Sequence, residues 1–140
     1  MNIEEIMTSV ELEIILKAGK ILLSSGAEIS RTEDTMNYIA RAMNFKDLEA
    51  YVSNRGIFAT AKKADGTEIT RIYNVPEVDI NLSKIESVNA LSRRVTQKNI
   101  TIEEIESELN QIDTMSDYSF FWRLVAYTLG ASGFSYAIGS

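Results

Sequence analysis

From Asn44 onward the apolar residues of this chain change period, and turn signals bracket the change so closely that few folds remain open. In LEAYVSN, Leu48, Ala50 and Val52 alternate with Glu49, Tyr51 and Ser53, and the same period of two returns in IFATAKK and in TEITRIY. Alternation of that kind gives each strand one buried and one solvated face. Asn54, Arg55 and Gly56 separate the first run from the second. Asp65-Gly66, a dipeptide suited to the positive φ angles of a tight hairpin, separates the second from the third. Val75-Pro76 closes the stretch, because proline has no N–H to give to a ladder. Three antiparallel strands in a meander follow.

On both sides of the strands the spacing is helical. A first helix is expected from about Thr8 to Ser25, capped by Thr8 with Glu11, apolar at Ile14, Ile15, Ala18, Ile21, Leu22 and Leu23, and stopped by Gly26. The second follows at once, with Ser30 and Glu33 as a capping box and Ile29, Thr32, Met36, Ile39, Ala40 and Met43 on one side. A third is expected from about Asn81 to Gln97, with Asn81 as its cap and Leu82, Ile85, Val88, Leu91 or Ser92, and Val95 inward. The fourth opens at Thr101 with Glu104 and carries Ile102, Ile105, Leu109 and Ile112 on one stripe, its glutamates forming a solvated face. The order predicts an α+β fold, a helical hairpin and two further helices packed on one face of a small three-stranded antiparallel sheet. A length of 140 residues, 45% of them hydrophobic, suits one such core.

The chain carries a net charge of −6 and has neither cysteine nor histidine. An acidic surface repels polyanions, so nucleic acid is not an expected partner. The missing residue types remove disulfides, thiol nucleophiles, Ser-His-Asp triads and the usual zinc and haem ligands. No phosphate loop, dinucleotide fingerprint or metal spacing is present, so no cofactor is expected and catalysis ranks below binding. Glu28, Glu33 and Asp34 lie near one another, but acids around a helix N-terminus are expected for the dipole alone, and a carboxylate-dependent hydrolase-like domain is the one enzyme class the sequence does not exclude. The acidic start MNIEEIMTSVELE is not a secretory signal.

The final stretch differs from the rest. From Phe120 to Ile138 only Arg123 is charged, and as a helix this run is roughly 28 Å long, close to the hydrocarbon thickness of a bilayer. Tyr118, Phe120, Phe121 and Trp122 gather at one end, where a headgroup belt lies, and Ala126, Gly130, Gly133 and Ala137 permit close helix approach. The expectation is a soluble unit over residues 1–117 and a first transmembrane helix over 118–140, in a natural chain that continues past Ser140. The alternative is a soluble small-molecule-binding or regulatory module whose apolar C-terminal helix lies in a groove of this domain or of a second copy.

Four blocks together resemble the N-terminal part of the threonine/serine exporter family: LSSGAEISRTEDTMNYIARAMN, SNRGIFAT, TRIYNVPEVDINLSKIESVNALSRRV and the closing apolar segment. The resemblance implies a cytoplasmic N-terminal domain ahead of several transmembrane helices in bacterial and fungal membrane proteins. It implies export of small metabolites, threonine and serine in some members and a dicarboxylate such as succinate in others. The partners so implied are the cell (inner) membrane, the small-molecule substrate, further copies in an oligomer, and, in split systems, a second, smaller membrane subunit. One apolar segment cannot form a transport path alone, so the domain is expected to gate that path or feed it.

Among the charges, Glu28 and Arg31 frame the helical elbow, and an acid beside an arginine suits an ammonium and a carboxylate on one zwitterion. An ion pair across the elbow, or contact with a membrane partner, are the other roles open to them. Arg55 is placed at a hairpin tip beside Gly56, whose positive φ the turn is expected to require. Arg71, mid-strand beside Ile69 and Ile72, is expected to face away from the core. Asn89, on or near the apolar stripe of the third helix, is a candidate for a buried hydrogen bond. Arg93 and Arg94, in its last turns, complement the helix dipole.

Overall fold

A computed structural model describes residues 3–115 of the chain. It contains α1 (Ile3–Ser24), α2 (Ile29–Ala42), β1 (Phe45–Val52), β2 (Gly56–Lys63), β3 (Glu68–Asn74), α3 (Leu82–Thr96) and α4 (Ile102–Asp113). The strands form one antiparallel sheet in the order β1-β2-β3. The fold is α+β, but only α1 and α2 pack on the sheet; α3 and α4, expected to lie on it as well, pack against the helices instead, because α1 and α2 already cover that face.

α1 is the centre of the molecule, packed against the other three helices and against β2 and β3. Leu12, Ile15, Leu16, Ile21 and Leu22 are all but inaccessible, and Ile14, Ala18, Gly19 and Leu23 are buried beside them. A helix with so broad an apolar face needs neighbours on most of its sides, and only Glu13, Lys17 and Lys20 keep its central part in touch with solvent. Gly19 makes the close packing possible: a Cβ there would stand 2.6 Å from Met36 Sδ and 2.9 Å from Ile57 Cδ1. The helix starts at Ile3 rather than Thr8. Ile3 to Met7 continue it with Glu4 and Glu5 in the favourable first turn, so Thr8 is interior and its hydroxyl donates to Glu4 O at 2.8 Å instead of capping.

Gly26 ends α1 at φ +96, with Ala27 N donating to Leu22 O and Gly26 N to Leu23 O in a Schellman arrangement. The segment before α3 satisfies two more carbonyls of this terminus, Asp79 N bonding Ser24 O at 2.8 Å and Asn81 N bonding Ser25 O at 3.0 Å. The N-cap of α2 is Glu28, which makes no side-chain cap bond. Ser30 therefore lies inside the helix, and Ile29 is exposed rather than on the apolar side. Asn81 caps α3 by accepting from Lys84 N, and Thr101 caps α4 by accepting from Glu104 N. Leu82, expected inward, is exposed, since the buried stripe of α3 runs through Ser83, Val88, Leu91, Ser92 and Val95.

Register explains the two sheet faces. The rows Val52–Ile57–Tyr73, Ala50–Ala59–Arg71 and Leu48–Ala61–Ile69 face the helices, and the alanines of β2 let α1 lie close. The row Tyr51–Phe58–Ile72 lies on the other, exposed face. Arg71 thus lies on the helix side of the sheet, with its side chain still about two-fifths exposed at the edge, because the inward parity of β3 is set by Ile69 and Tyr73 while Ile72 turns outward. Gly56 has no positive φ; what requires glycine is space, since a Cβ there would stand 2.9 Å from Tyr73 O. Gly66, in the second turn, does take φ +94, and Asp65 Oδ1 accepts from Thr67 N beside it. That bond to the backbone of Thr67 holds the Asp65 carboxyl below its ordinary range. Among the described residues no helix is long and apolar enough to cross a membrane. The run Phe120–Ile138, expected to do so, lies outside the described residues.

Candidate functional site

A β-bulge prepares the site. In β1, Phe45 pairs with Lys63 and Asp47 with Lys62, so Lys46 is an extra residue. Without it Phe45 would share the outward parity of Glu49 and Tyr51; with it Phe45 turns inward and is buried. Asn44 enters the strand at φ +65, a backbone region asparagine tolerates better than most residues. Lys63, inward by the alternation of β2, lies 5.0 Å from the Phe45 ring centroid.

Lys63 Nζ also reaches Glu11 Oε2 of α1, 2.8 Å away. Glu11 lies on the stripe of Ile15, Ala18 and Leu22 and is 6% exposed, so the fold brings a carboxylate into its apolar interior. Among the described residues Lys63 is its ion-pair partner, and Oε2 makes no hydrogen bond of good geometry. A cleft of about 300 Å³ opens on this pair. Its walls are apolar, from Met43, Val95, Ile100 and Ile105, with Asn44 and Lys98 as further polar members. Lys98, between α3 and α4, is held at φ +58, so two non-glycine residues in left-handed conformations border one cleft. The polar set is one carboxylate, two ammonium groups and an amide, which suits a small ligand bearing both charges better than a metal ion. Among the described residues no group of three acids is placed to hold a metal.

A second polar cluster joins α1 to β3. Arg71 Nη2 donates to Ser9 Oγ at 3.0 Å, its Nε lies 3.4 Å from Glu13 Oε1, and Tyr73 donates to Glu13 Oε2 at 3.1 Å. Lys20 Nζ lies 5.5 Å from the centroid of the Tyr73 ring. Burial, then the Glu13 charge and hydrogen bond, raise the Tyr73 hydroxyl above its ordinary value of 10.0. Arg71 and Glu13 are each about two-fifths exposed, so their pair contributes little energy and chiefly fixes β3 against α1.

The other charges singled out in the sequence are not gathered. Glu28 and Arg31 are exposed at the elbow without an ion pair or side-chain hydrogen bond, to each other or to any described residue. Arg55 is exposed at the β1–β2 turn, where its carbonyl accepts from Val75 N. Arg93 is exposed in the last turn of α3, whereas its neighbour Arg94 pairs with Glu108 on α4 at 2.7 Å. Asn89 is half-buried and its side chain makes no hydrogen bond; its carbonyl accepts from Ser92 Oγ. The expected buried bond is absent because Ser83, Val88, Leu91, Ser92 and Val95 take the inward stripe and leave Asn89 at its margin.

None of Glu11, Lys63 and Lys98 was assigned to a site from the sequence, where Glu11 figures only as the capping partner of Thr8, although the first two carry a signal. Glu11 falls on the apolar stripe of its helix and Lys63 on the inward parity of its strand, and a charge at such a position must find a partner. Lys98 gives no such signal.

The family model "Putative threonine/serine exporter" matches residues 13–140 of the chain. No curated protein and no solved structure matches it.

Proposed function

The chain belongs to the threonine/serine exporter family, and from that membership we propose that residues 1–117 are the cytoplasmic domain of a membrane exporter and residues 118–140 its first transmembrane helix. Membership carries an exporter-related transport function, association with a membrane and a small-molecule substrate. Within that function the α+β domain feeds or gates the path on the cytoplasmic side of the cell membrane. The observation that carries this reading is the extent of the match, from Glu13 in α1 across the whole sheet and on through the apolar run. An apolar run of that length directly after a folded polar unit is the arrangement of a domain tethered at a bilayer.

Glu28, Arg31 and Arg55 are the charges offered to a partner. They are exposed and unpaired within the domain, so their electrostatic partners remain to be supplied by solute, by the membrane part, by a second smaller subunit or by another copy in an oligomer. Arg71 is engaged with Ser9 and Glu13, and its part is to hold β3 in place. The test is efflux of threonine and serine from cells carrying the full-length protein with Glu28→Lys. Efflux is expected to fall while the circular dichroism of the purified protein stays unchanged; efflux at the parental rate would remove Glu28 from the mechanism.

A further inference from the structure

We propose that the cleft between Glu11 and Lys63 binds a small α-amino acid as its zwitterion, with the ligand ammonium on the Glu11 carboxylate and the ligand carboxylate on the Lys63 and Lys98 ammonium groups. The choice of amino acid leans on the exporter reading above; the site rests on the cleft itself.

Four observations carry it. Glu11 and Lys63 form an ion pair beside the apolar side chains of Met43, Val95, Ile100 and Ile105, and Glu11 Oε2 lacks a well-directed hydrogen bond. An incoming ammonium supplies three donors to that carboxylate, and the ligand carboxylate at once re-neutralises Lys63, so one poorly bonded pair becomes two without change of net charge. The fold has already removed most of the water from Glu11, which reduces the desolvation that accompanies binding. At about 300 Å³ the cleft is at the small end of ligand sites and takes a compact metabolite. Asn44 and Lys98, both at positive φ, border it, and backbone strain of this kind concentrates where ligands are held.

The same charges select the ligand. A dicarboxylate such as succinate brings a second anion against Glu11 and no cation to meet it, and two like charges in a cleft of low dielectric repel strongly. Met43, Val95, Ile100 and Ile105 offer a surface for a short side chain. The Lys98 side chain, exposed and without a hydrogen bond or ion pair to any described residue, is free to turn toward a carboxylate.

The test is a titration of the full-length, ¹⁵N-labelled protein in detergent micelles with L-threonine and L-serine, read from amide shifts. Saturable shifts are expected at Asn44, Lys98 and Ile100. Threoninamide, N-acetylthreonine and succinate, none of which carries both charges of the zwitterion, are expected to bind about tenfold more weakly or worse. The double variant Glu11→Gln/Lys63→Met removes both charges together, leaves neither buried alone, and is expected to lose the saturable shifts. Should it misfold, Lys98→Glu, an exposed substitution, is expected to weaken threonine by about tenfold. Binding that survives in the folded double variant, binding undiminished in Lys98→Glu, an equal response to succinate, or no saturable shift with either amino acid overturns the proposal. Efflux from cells carrying the same protein separates the readings. Efflux without amide shifts overturns the cleft and leaves the exporter standing, whereas cleft shifts without efflux do the reverse.

Discussion

Replacing Lys63 by methionine should damage this fold more than replacing both members of its ion pair. The Glu11 side chain is 7% exposed and that of Lys63 22%, so Lys63→Met leaves a carboxylate in an apolar wall with no counter-charge. Breaking a buried pair from one side costs about 3–5 kcal/mol. Because water reaches the lysine end, the loss is expected near the lower limit, about 3 kcal/mol. With a urea slope of about 1–3 kcal/mol/M, the unfolding midpoint falls by roughly 1–3 M. Glu11→Leu/Lys63→Met is expected to recover most of that loss or exceed the parent, since apolar replacement of a whole buried pair is often neutral or stabilising by about 1–4 kcal/mol. The assay is urea unfolding of parent, Lys63→Met, Glu11→Leu and the double variant, followed by far-ultraviolet circular dichroism and closed as a thermodynamic cycle. A Lys63→Met loss under about 1 kcal/mol, within the range of exposed pairs, or a double variant no better than Lys63→Met, would show that the charges are solvated and the cleft is not the dry site described.

Gly56 and Gly66 should respond to the same substitutions in opposite ways. Gly56→Ala drives a Cβ to 2.9 Å from Tyr73 O, a backbone atom that cannot move aside, and should cost about 1–3 kcal/mol, with Gly56→Asn no better. Gly66→Ala meets nothing within 4 Å but stands at φ +94, so its loss of about 1–2 kcal/mol should be largely recovered in Gly66→Asn; thermal melts of the four variants decide, and parallel behaviour at the two sites would contradict the distinction. Tyr73 links stability to alkaline pH. Its hydroxyl titrates above 10.0 in the folded state, so the unfolded chain loses that proton first, and stability present below about pH 10 declines as pH rises through the folded value. Urea midpoints on the alkaline side should fall less steeply in Tyr73→Phe, and an unchanged slope would mean that burial and Glu13 do not hold that proton.

Much of the fold was legible because its signals were local and redundant. Asp65-Gly66, Val75-Pro76, the Thr101 cap and the period of two each describe a few neighbouring residues, and each meets its expected place. Where local reading failed, a longer-range effect had won. Thr8 resembled a cap only while the five residues before it were left out of the helix. Arg71 was assigned outward because Ile72 is apolar, yet parity in β3 is decided by Ala59 and Ala61 of β2, which admit α1 to the sheet from the side of Ile69 and Tyr73. Gly56 resembled a turn glycine until the neighbouring strand showed that it makes room for the carbonyl of Tyr73. The cleft was half legible. Periodicity marks Glu11 and Lys63 as buried charges, but only the bulge at Lys46 and the α3–α4 connection bring Phe45 and Lys98 beside them, and neither has a short-range signature.

The departures from local rules are not scattered. The left-handed backbone of Asn44 and of Lys98 and the Glu11–Lys63 pair border one cleft, and the bulge between Phe45 and Asp47 follows Asn44 directly in the chain. Each carries a cost that a more regular sequence would avoid: a broken ladder, about 1–2 kcal/mol of steric strain at a left-handed residue, and desolvation of two charges that apolar side chains would spare. Stability alone gives little reason to keep them together, since replacing the pair by leucine and methionine is expected to leave the domain close to the parent's stability or above it. The elbow charges Glu28 and Arg31, by contrast, violate no rule, and their solvated positions would be tolerated on any helical hairpin. Where the inward pull of function opposes the fold's own preference, the opposing residues mark the site. On that ground the proposed amino-acid site lies in the cleft, while the elbow charges stay open to a contact outside the domain.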